Sequence, residues 1–481
     1  MGVPAHCFKT YFLYFGPLEK QKFMKPEELY PYFLAHPMVT TDSRKIPAGS
    51  LFFALKGENF DGNRFAAAAL EAGAAFAVVD DPAVVTGERY LLTPDVLESL
   101  QQLAAFHRQR LGIPILAITG TNGKTTTKEL VSAVLTRKFR VEYTRGNLNN
   151  HIGVPLTLLS MTRETQMGVV EMGANHPGEI AFLCRIARPD YGVITNVGKA
   201  HLEGFGSFEG VVRTKSELYR DLEERGGTIF INGGNPWLTA SAGKNLDKVF
   251  YGTADALPSD LHDSSGGSGE KGDNTNGGDP WKSDSQVTGR SVGRGPFLEV
   301  EAWWQNEVVR VPTHLIGEYN LENVLAAMAV GRHFGVPAAG ITAAIAEYVP
   351  SNNRSQYIKK ASNEVIMDAY NANPSSMKAS ILNFIAMEHP RKMVILGDMF
   401  ELGNSSQMEH QRIVDELVLH FRGEVYLAGK YFSASRRPED FRTFTSGEEL
   451  MASLMEHPPV GTLILIKGSR GMQLEKIVTL L

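Results

Sequence analysis

The chain has 481 residues, 43% of them hydrophobic, with a formal net charge of −5 and a pI near 6.3. That length allows about three domains of ~100–200 residues, each with apolar material for its own core. The mild acidity gives no electrostatic reason to expect nucleic-acid binding, and no apolar run is long enough for a membrane-inserted helix. Two distant cysteines, Cys7 and Cys184, suggest neither a disulfide framework nor a metal knuckle and fit a reducing, cytoplasmic setting.

Residues 1–23 include the apolar Tyr11-Phe-Leu-Tyr-Phe-Gly, too short for a signal-peptide core, and Met24 offers an alternative start. They are expected to be a dispensable extension. Residues 24–94 read as a small α/β domain. Its strand Ser50-Leu-Phe-Phe-Ala-Leu is followed by an alanine-rich helix from Asn63 to Ala72 and a strand from Ala75 to Asp80. The loop holding Asp42, Ser43 and Arg44 precedes the first strand, and Gly57-Glu-Asn-Phe-Asp-Gly follows it. The two could line one ligand site, although solvated turns are the preferred reading of such loops.

Residues 95–350 read as a central domain. A helix from Asp95 to Arg110 leads into the β-branched run Ile113 to Ile118, which breaks into Gly120-Thr-Asn-Gly-Lys-Thr-Thr. Leu130, Val131, Val134, Leu135 and Phe139 then recur at helical spacing. Strand, glycine turn, lysine and hydroxyl, then helix is the arrangement that cradles a nucleotide phosphate. Gly120 and Gly123 let backbone N–H groups close around the oxygens, with Thr121, Asn122 and Thr126 completing the loop. Lys124 can reach the β/γ-phosphates, and the Thr125 hydroxyl can ligate Mg²⁺. The general pattern has a glycine six positions before the lysine. Here that place is Ile118, which points to a subclass of such enzymes.

Strands Met167 to Met172 and Tyr191 to Val197 follow, separated by a helix from Pro177 to Ala187. A long helix from Ser207 to Glu224 leads to a strand from Thr228. This alternation predicts a mostly parallel sheet covered by helices. Glu171 stands at a strand end, where a carboxylate could hold Mg²⁺ or face solvent. His201 lies past another strand end, in a glycine-bearing loop where histidines are more often incidental than ligands. Lys215 reads as an ordinary exposed helical lysine. Residues 254–296 contain little that could be buried and read as a disordered insert, bounded by a strand at Val249 to Tyr251 and by a hairpin. The hairpin pairs Phe297 to Trp303 with Val308 to Leu315 across Gln305-Asn306. Asn320 and Asn323, one turn apart at the start of a helix to Phe334, carry amides suited to an adenine edge. Helix capping by Asn320 competes with that reading.

Residues 351–481 read as a Rossmann-like domain with strands Val365 to Tyr370, Lys392 to Gly397, Val425 to Ala428 and Leu463 to Lys467, closed by a helix from Met472. No Gly-x-Gly-x-x-Gly follows its first strand, so it is not read as a dinucleotide binder. Asp368-Ala-Tyr-Asn-Ala-Asn-Pro, Gly397-Asp-Met-Phe-Glu-Leu-Gly and Lys467-Gly-Ser-Arg each end an apolar strand, so three polar loops share one sheet edge.

These stretches, with Gly146-Asn-Leu-Asn-Asn-His-Ile-Gly-Val-Pro and Asn196-Val-Gly-Lys-Ala-His, together resemble the Mur ligase family from about Thr41 onward, the insert excepted. The family's own phosphate loop is the short form. The Asp368 and Gly397 motifs favour its dipeptide-adding member, and the Asp-Asn-Pro-Arg motif of amino-acid-adding relatives is absent. The resemblance implies an α/β protein of three domains: a UDP-sugar domain, a central ATPase domain and a C-terminal domain that closes on ATP and binds the dipeptide. It implies ATP-dependent joining of D-alanyl-D-alanine to UDP-N-acetylmuramoyl-tripeptide through an acyl phosphate, by a cytoplasmic monomer.

By that resemblance Lys124 and Thr125 hold the phosphates and a first Mg²⁺, with Glu171 a further metal ligand. His201 serves a second Mg²⁺, and Lys215 becomes a carbamylated, anionic metal ligand. Asn320 and Asn323 lie beside adenine, and Arg354 and Asp368 reach ATP from the C-terminal domain. Asp42, Ser43 and Arg44 match the UDP-sugar loop. Asn147, Asn149 and Asn150 face the substrate, and Asp398 and Glu401 lie near the incoming dipeptide. The competing readings are another amide ligase, such as an amino-acid-adding relative or a folylpolyglutamate synthase, and a non-catalytic nucleotide-binding module. Deleting residues 1–23 is expected to leave turnover intact; a truncated protein that folds but has lost activity would overturn the dispensable-extension reading.

Overall fold

The structure, a computed structural model, describes residues 23–253, 286–293, 295–304, 307–351 and 353–481. Cys7, nearly all of the N-terminal extension, most of the insert and the Gln305-Asn306 turn lie outside the described residues. The chain divides into two compact units, residues 1–106 and 107–481.

The first unit carries helix α1 (Pro26–Ala35) and a parallel four-stranded sheet. The sheet is built from β1 (Val39–Thr40), β2 (Leu51–Phe53), β5 (Phe76–Val79) and β6 (Tyr90–Leu92), while β3 (Lys56–Gly57) and β4 (Phe60–Asp61) form a separate small hairpin. Phe52, Ala77 and Val79 pack against Ala66, Ala69 and Leu70 of α2 (Ala66–Glu71). The expected helix from Asn63 to Ala72 is shorter and starts as a 3₁₀ turn, Gly62–Phe65. Asp61 accepts from the Asn63 backbone N–H, and the Asn63 amide bonds both Asp61 and Asp80, which holds that first turn tight. Helix α3 (Val96–Leu111) carries the chain across the division between the units.

The second unit contains two large sheets. In chain order its central part runs β7 (Ile115–Thr119), α4 (Lys124–Thr136), β8 (Val141–Tyr143), α5 (Gly153–Leu159), β9 (Met167–Glu171), α6 (Glu179–Ala187) and β10 (Tyr191–Ile194). Then come α7 (Leu202–Phe205), α8 (Phe208–Lys215), α9 (Glu217–Arg225), β11 (Thr228–Asn232), α10 (Pro236–Ser241) and β12 (Asp247–Thr253). Strands β13 (Val287–Val292), β14 (Phe297–Trp304) and β15 (Glu307–Ile316) precede helices α11 (Leu321–His333) and α12 (Ala338–Glu347).

These strands form a nine-stranded sheet in the order β15-β14-β13-β12-β11-β10-β7-β9-β8, with β14 alone running against the others. After β7 the chain fills one side with β9 and β8, then crosses to begin the other side at β10. Such a reversal leaves a crevice at the carboxyl ends of the strands, where α/β sheets bind ligands. The register brings the ends of β7, β9 and β10 level: Ile118 pairs with Glu171, and Thr119 with Ile194. Helix α11, apolar almost all round, is buried in the core against this sheet and α4.

The C-terminal part runs β16 (Gln356–Lys360), β17 (Asn363–Asp368), α13 (Pro374–Ala386), β18 (Lys392–Gly397), α14 (Ser406–His420), β19 (Glu424–Ala428), α15 (Lys430–Ser433), β20 (Arg442–Phe444), α16 (Gly447–Glu456) and β21 (Leu463–Lys467). Its sheet order is β16-β17-β21-β18-β19-β20, with only β16 antiparallel.

Several expectations are corrected. Strand β13 lies inside the stretch read as disordered: its β-branched residues bury Val287 and pair with both β12 and β14. The expected helix from Ser207 to Glu224 is two helices, because the hydroxyls of Thr214 and Ser216 bond back to the Gly210 and Val212 carbonyls and disturb the ladder between α8 and α9. Strands β8 and β16 escaped the pattern, being half-buried edge strands. The closing helix is 3₁₀, Leu474–Leu480, entered through left-handed Gln473.

Arg108 anchors the frame beneath the phosphate loop. Its Nε donates to the Ala187 carbonyl, and its Nη2 to the Arg188 carbonyl and to Asp190, whose Oδ2 also receives the Ile115 N–H at the start of β7. Arg108→Ala is expected to cost about 1–3 kcal/mol, because the buried Ala187 carbonyl loses its donor, while the half-exposed Asp190 can turn to water. A urea midpoint unchanged from wild type would show that water replaces the guanidinium at no cost.

Candidate functional site

A cavity of about 1030 Å³ opens where the central and C-terminal sheets of the second unit present their strand ends. The phosphate-loop residues Thr121 to Thr126 line it, together with Glu171, Asn149 and His201 of the central part. From the opposite side come Arg354, Asp368, Tyr370 and Lys467, with Asn320 and Asn323 at the start of α11.

The loop needs its glycines. Gly120 and Gly123 have φ of +142° and +76°, and a Cβ on them would sit 2.0 Å from Thr195 Oγ1 and 2.5 Å from Asn323 Oδ1. The Thr121 N–H donates to the Asn196 carbonyl, so the loop is stitched to the segment after β10. Lys124 Nζ spans the loop, donating to the carbonyls of Gly120 (2.8 Å) and Thr121 (3.0 Å). Burial lowers its ammonium to about 8; the Arg354 charge pushes the same way, while Glu171 opposes.

At the floor, Glu171 is buried, and its carboxylate accepts from Thr125 Oγ1 at 3.0 and 3.2 Å and from Asn149 Nδ2 at 2.9 Å. A hydroxyl and a carboxylate in contact at the foot of a phosphate loop are hard oxygen donors, which fits Mg²⁺. Among the described residues no group of three or more His, Cys, Asp or Glu side chains could hold a metal ion.

Two lysines differ from their sequence reading or surroundings. Lys215, expected from composition to be exposed, is buried at the end of α8, with Nζ 3.4 Å from the Ala174 carbonyl and 5.4 Å from the Phe205 ring centre. Burial, with the charge of Lys124 adding to it, drives it well below the ordinary lysine range, toward the neutral amine. Lys467 donates to Asp368 Oδ2 at 2.5 Å, the two standing opposite each other at the ends of β21 and β17. Asp368 also accepts from Ser380 Oγ at 2.9 Å.

The asparagines divide. Asn320 does not cap α11 with its side chain; its amide donates to the Ile316 carbonyl, and its Oδ1 accepts from Asn323 Nδ2. The capping alternative is thereby set aside. Asn323 Oδ1 accepts from Thr127 Oγ1 at 3.0 Å, which locks α11 to α4. Asn150 caps α5 and lines the cavity, whereas Asn147 is exposed and lies off its wall. Arg354 stacks 3.7 Å above the Tyr370 ring centre, and its buried Nε has no hydrogen-bond partner.

Asp398 is not a cavity residue. It is buried, and its carboxylate receives the Tyr431 and Phe432 N–H groups at the start of α15. Glu401 also stands off the cavity wall and bonds the His201 ring, which lowers its carboxyl below the usual range. Both His201 and Glu401 have left-handed backbone (φ 48° and 61°). Asp42, Ser43 and Arg44 lie in the first unit, where the Asp42 carboxylate accepts from the Arg44 backbone and guanidinium and is held down to about 2. Sequence reasoning gave no role to Thr127, Asn196, Tyr319, Asn373 or Ser380. Thr127, Asn196, Tyr319 and Asn373 stood inside singled-out stretches, while Ser380 had no signal beyond being polar.

Gly123→Ala combines a left-handed backbone cost of roughly 1–2 kcal/mol with a collision against Asn323. Affinity for ADP measured by titration calorimetry should fall about tenfold or more, the equivalent of ~1.4 kcal/mol. Wild-type affinity would refute this account of the loop.

Three stretches match family models: residues 37–115 the Mur ligase family, catalytic domain, 118–331 the Mur ligase middle domain, and 353–470 the Mur ligase, glutamate ligase domain. The UDP-N-acetylmuramoyl-tripeptide–D-alanyl-D-alanine ligase of Bacillus subtilis is 35% identical, with 92% of each chain covered. A crystal structure of MurF from Acinetobacter baumannii superposes with a TM-score of 0.79 at 29% identity, covering 95% of this chain and 98% of that one. The MurF ligase of Thermotoga maritima in complex with ADP gives 0.76 at 25% identity, with 93% and 97% covered. The chain belongs to the Mur ligase family.

Proposed function

We propose that this protein joins D-alanyl-D-alanine to UDP-N-acetylmuramoyl-tripeptide at the expense of ATP, the dipeptide-adding step of peptidoglycan synthesis. One observation carries the reading: a phosphate loop with a buried Thr125–Glu171 floor faces Arg354, Asp368 and Lys467 across one cavity. The B. subtilis relative has that activity in its name. The terminal carboxylate of the tripeptide attacks the γ-phosphate of ATP, forming an acyl phosphate and releasing ADP. The amine of the dipeptide then attacks the acyl carbon, and phosphate leaves.

Such a reaction asks the protein for positioning and charge neutralisation more than covalent help. Lys124 stands over the phosphate loop to meet the β/γ oxygens. Arg354, its guanidinium stacked on Tyr370 and its Nε unpaired, is ready to meet anionic oxygen from the C-terminal side. Asn320 and Asn323 shape the adenine end. Mg²⁺ would be held by Thr125 and Glu171 and would neutralise charge on the phosphoryl oxygens. His201, oriented by Glu401, would serve a second ion, which moves Glu401 from the dipeptide to a supporting place. Lys215 suits carbamylation because the neutral amine, which its burial favours, is the form that takes up carbon dioxide. Asp42, Ser43 and Arg44 are assigned to the UDP-sugar, and Asn149 and Asn150 to the substrate cleft. Asp398 is assigned to the fold rather than to the dipeptide. Domains are assigned as 24–94, 95–350 and 351–481, with the last closing on ATP, in a cytoplasmic monomer. Among the described residues no helix is long and apolar enough to cross a membrane.

ADP release should be measured with Mg²⁺, ATP and UDP-N-acetylmuramoyl-tripeptide, adding D-alanyl-D-alanine, diaminopimelate, lysine or no amine. Turnover is expected with the dipeptide alone, to fall about a hundredfold or more in Lys124→Met, and to drop when bicarbonate is removed. Turnover with a free amino acid instead would assign a sister activity, and none at all would favour a binding module.

A further inference from the structure

The geometry points to Asn373 as a positioning residue that couples the C-terminal sheet to the phosphate loop, through the amide of Asn122. Asn373 is the N-cap of α13 and is buried. Its Oδ1 accepts from the Ser376 N–H at 2.9 Å, and its own N–H donates to Ser376 Oγ. With the oxygen occupied by the helix, the Nδ2 must point the other way, and it donates to Asn122 Oδ1 at 2.8 Å. The backbone contact to Ser376 thus fixes the orientation of the Asn373 amide.

Asn122 is equally constrained. Its N–H donates to Asn196 Oδ1 at 2.9 Å, and its carbonyl accepts from Thr195 Oγ1 at 2.6 Å and Asn196 Nδ2 at 3.1 Å. The peptide before Gly123 is therefore held by the segment after β10, while its side chain is held by a helix cap 251 residues away. One amide serves two masters: its oxygen starts α13, and its nitrogen grips the loop that must shape itself around phosphate. When α13 is seated, the loop is pre-shaped; when it is not, that restraint is gone. Both residues line the cavity, and nucleotide affinity should depend on the bond between them beyond any contact either makes with nucleotide. This rests on the ATP-dependent reading of the cavity, and not on the identity of the amine acceptor.

The test separates the cap from the grip. Asn373→Ser keeps a capping oxygen but is too short to reach Asn122, and Asn373→Thr repeats the design should the serine variant fold poorly. Affinity for Mg²⁺·AMP-PNP is measured by calorimetry in wild type, Asn373→Ser, Asn122→Ala and the double variant, alongside KM for ATP and for D-alanyl-D-alanine. Asn373→Ser should weaken AMP-PNP binding and raise KM for ATP about 3- to 10-fold, with KM for the dipeptide unchanged. In the Asn122→Ala background the same change should add less than about twofold. Equal effects in both backgrounds, wild-type nucleotide affinity, or an equal rise in KM for the dipeptide would each overturn the coupling. Wild-type protein that binds AMP-PNP yet ignores D-alanyl-D-alanine would count against the proposed acceptor and leave this pair standing.

Discussion

An ionised carboxylate cannot be buried for nothing: the effective penalty is several kcal/mol unless hydrogen bonds or a cation replace its water. Glu171 is only 1% exposed at the end of β9, and its partners are Thr125 from the phosphate loop and Asn149 from the loop before α5. Its own N–H is taken by Thr144 Oγ1, so backbone and side chain are both tied. That cluster requires β7 and β9 to be neighbours in this register, α4 to start where it does, and the segment around Asn149 to fold back over the sheet. Much of the central architecture can be read as what it takes to hold that carboxylate beneath a phosphate loop.

The second half of the site is built by the same logic on a different sheet. Asp368 and Lys467 end adjacent parallel strands and neutralise each other, while Ser380 adds a bond from α13. Arg354 lines the cavity, its guanidinium stacked on Tyr370 and its buried Nε unpaired. A cationic group with spare donors on one side and a loop of N–H groups with Lys124 on the other make a polyphosphate the natural occupant. Bonds between the two parts, such as Asn373 to Asn122 and His201 to Glu401, run between residues about two hundred or more positions apart.

Burial also redistributes roles that residue type alone would assign differently. Asp398 and Glu401 sit in one motif, yet Asp398 is spent on the first N–H groups of α15 while Glu401 reaches across to His201. Lys215 looks like any helical lysine in its charged neighbourhood of sequence, but helix α8 turns it inward against Phe205. Asn320, which looks like a helix cap, spends its amide on Ile316 and its oxygen on Asn323.

What the amino-acid order determined by itself was everything set by local spacing. It determined the strand–loop–helix at Ile115 to Thr136, the glycines that only a left-handed turn needs, the alternation of strand and helix, and the polar loops ending β17, β18 and β21. Those features depend on periodicity and backbone stereochemistry within a few residues, and the family motifs supplied the candidate site residues. Tertiary structure decided what depends on distant partners. It showed that β13 is ordered because β12 and β14 flank it, that the long helix breaks at Ser216, and that Lys215 is buried. It decided too that Asp398 is spoken for, and that Asn373 grips the phosphate loop. Hydrogen bonds and burial are properties of pairs, and a linear pattern names only one member of each pair.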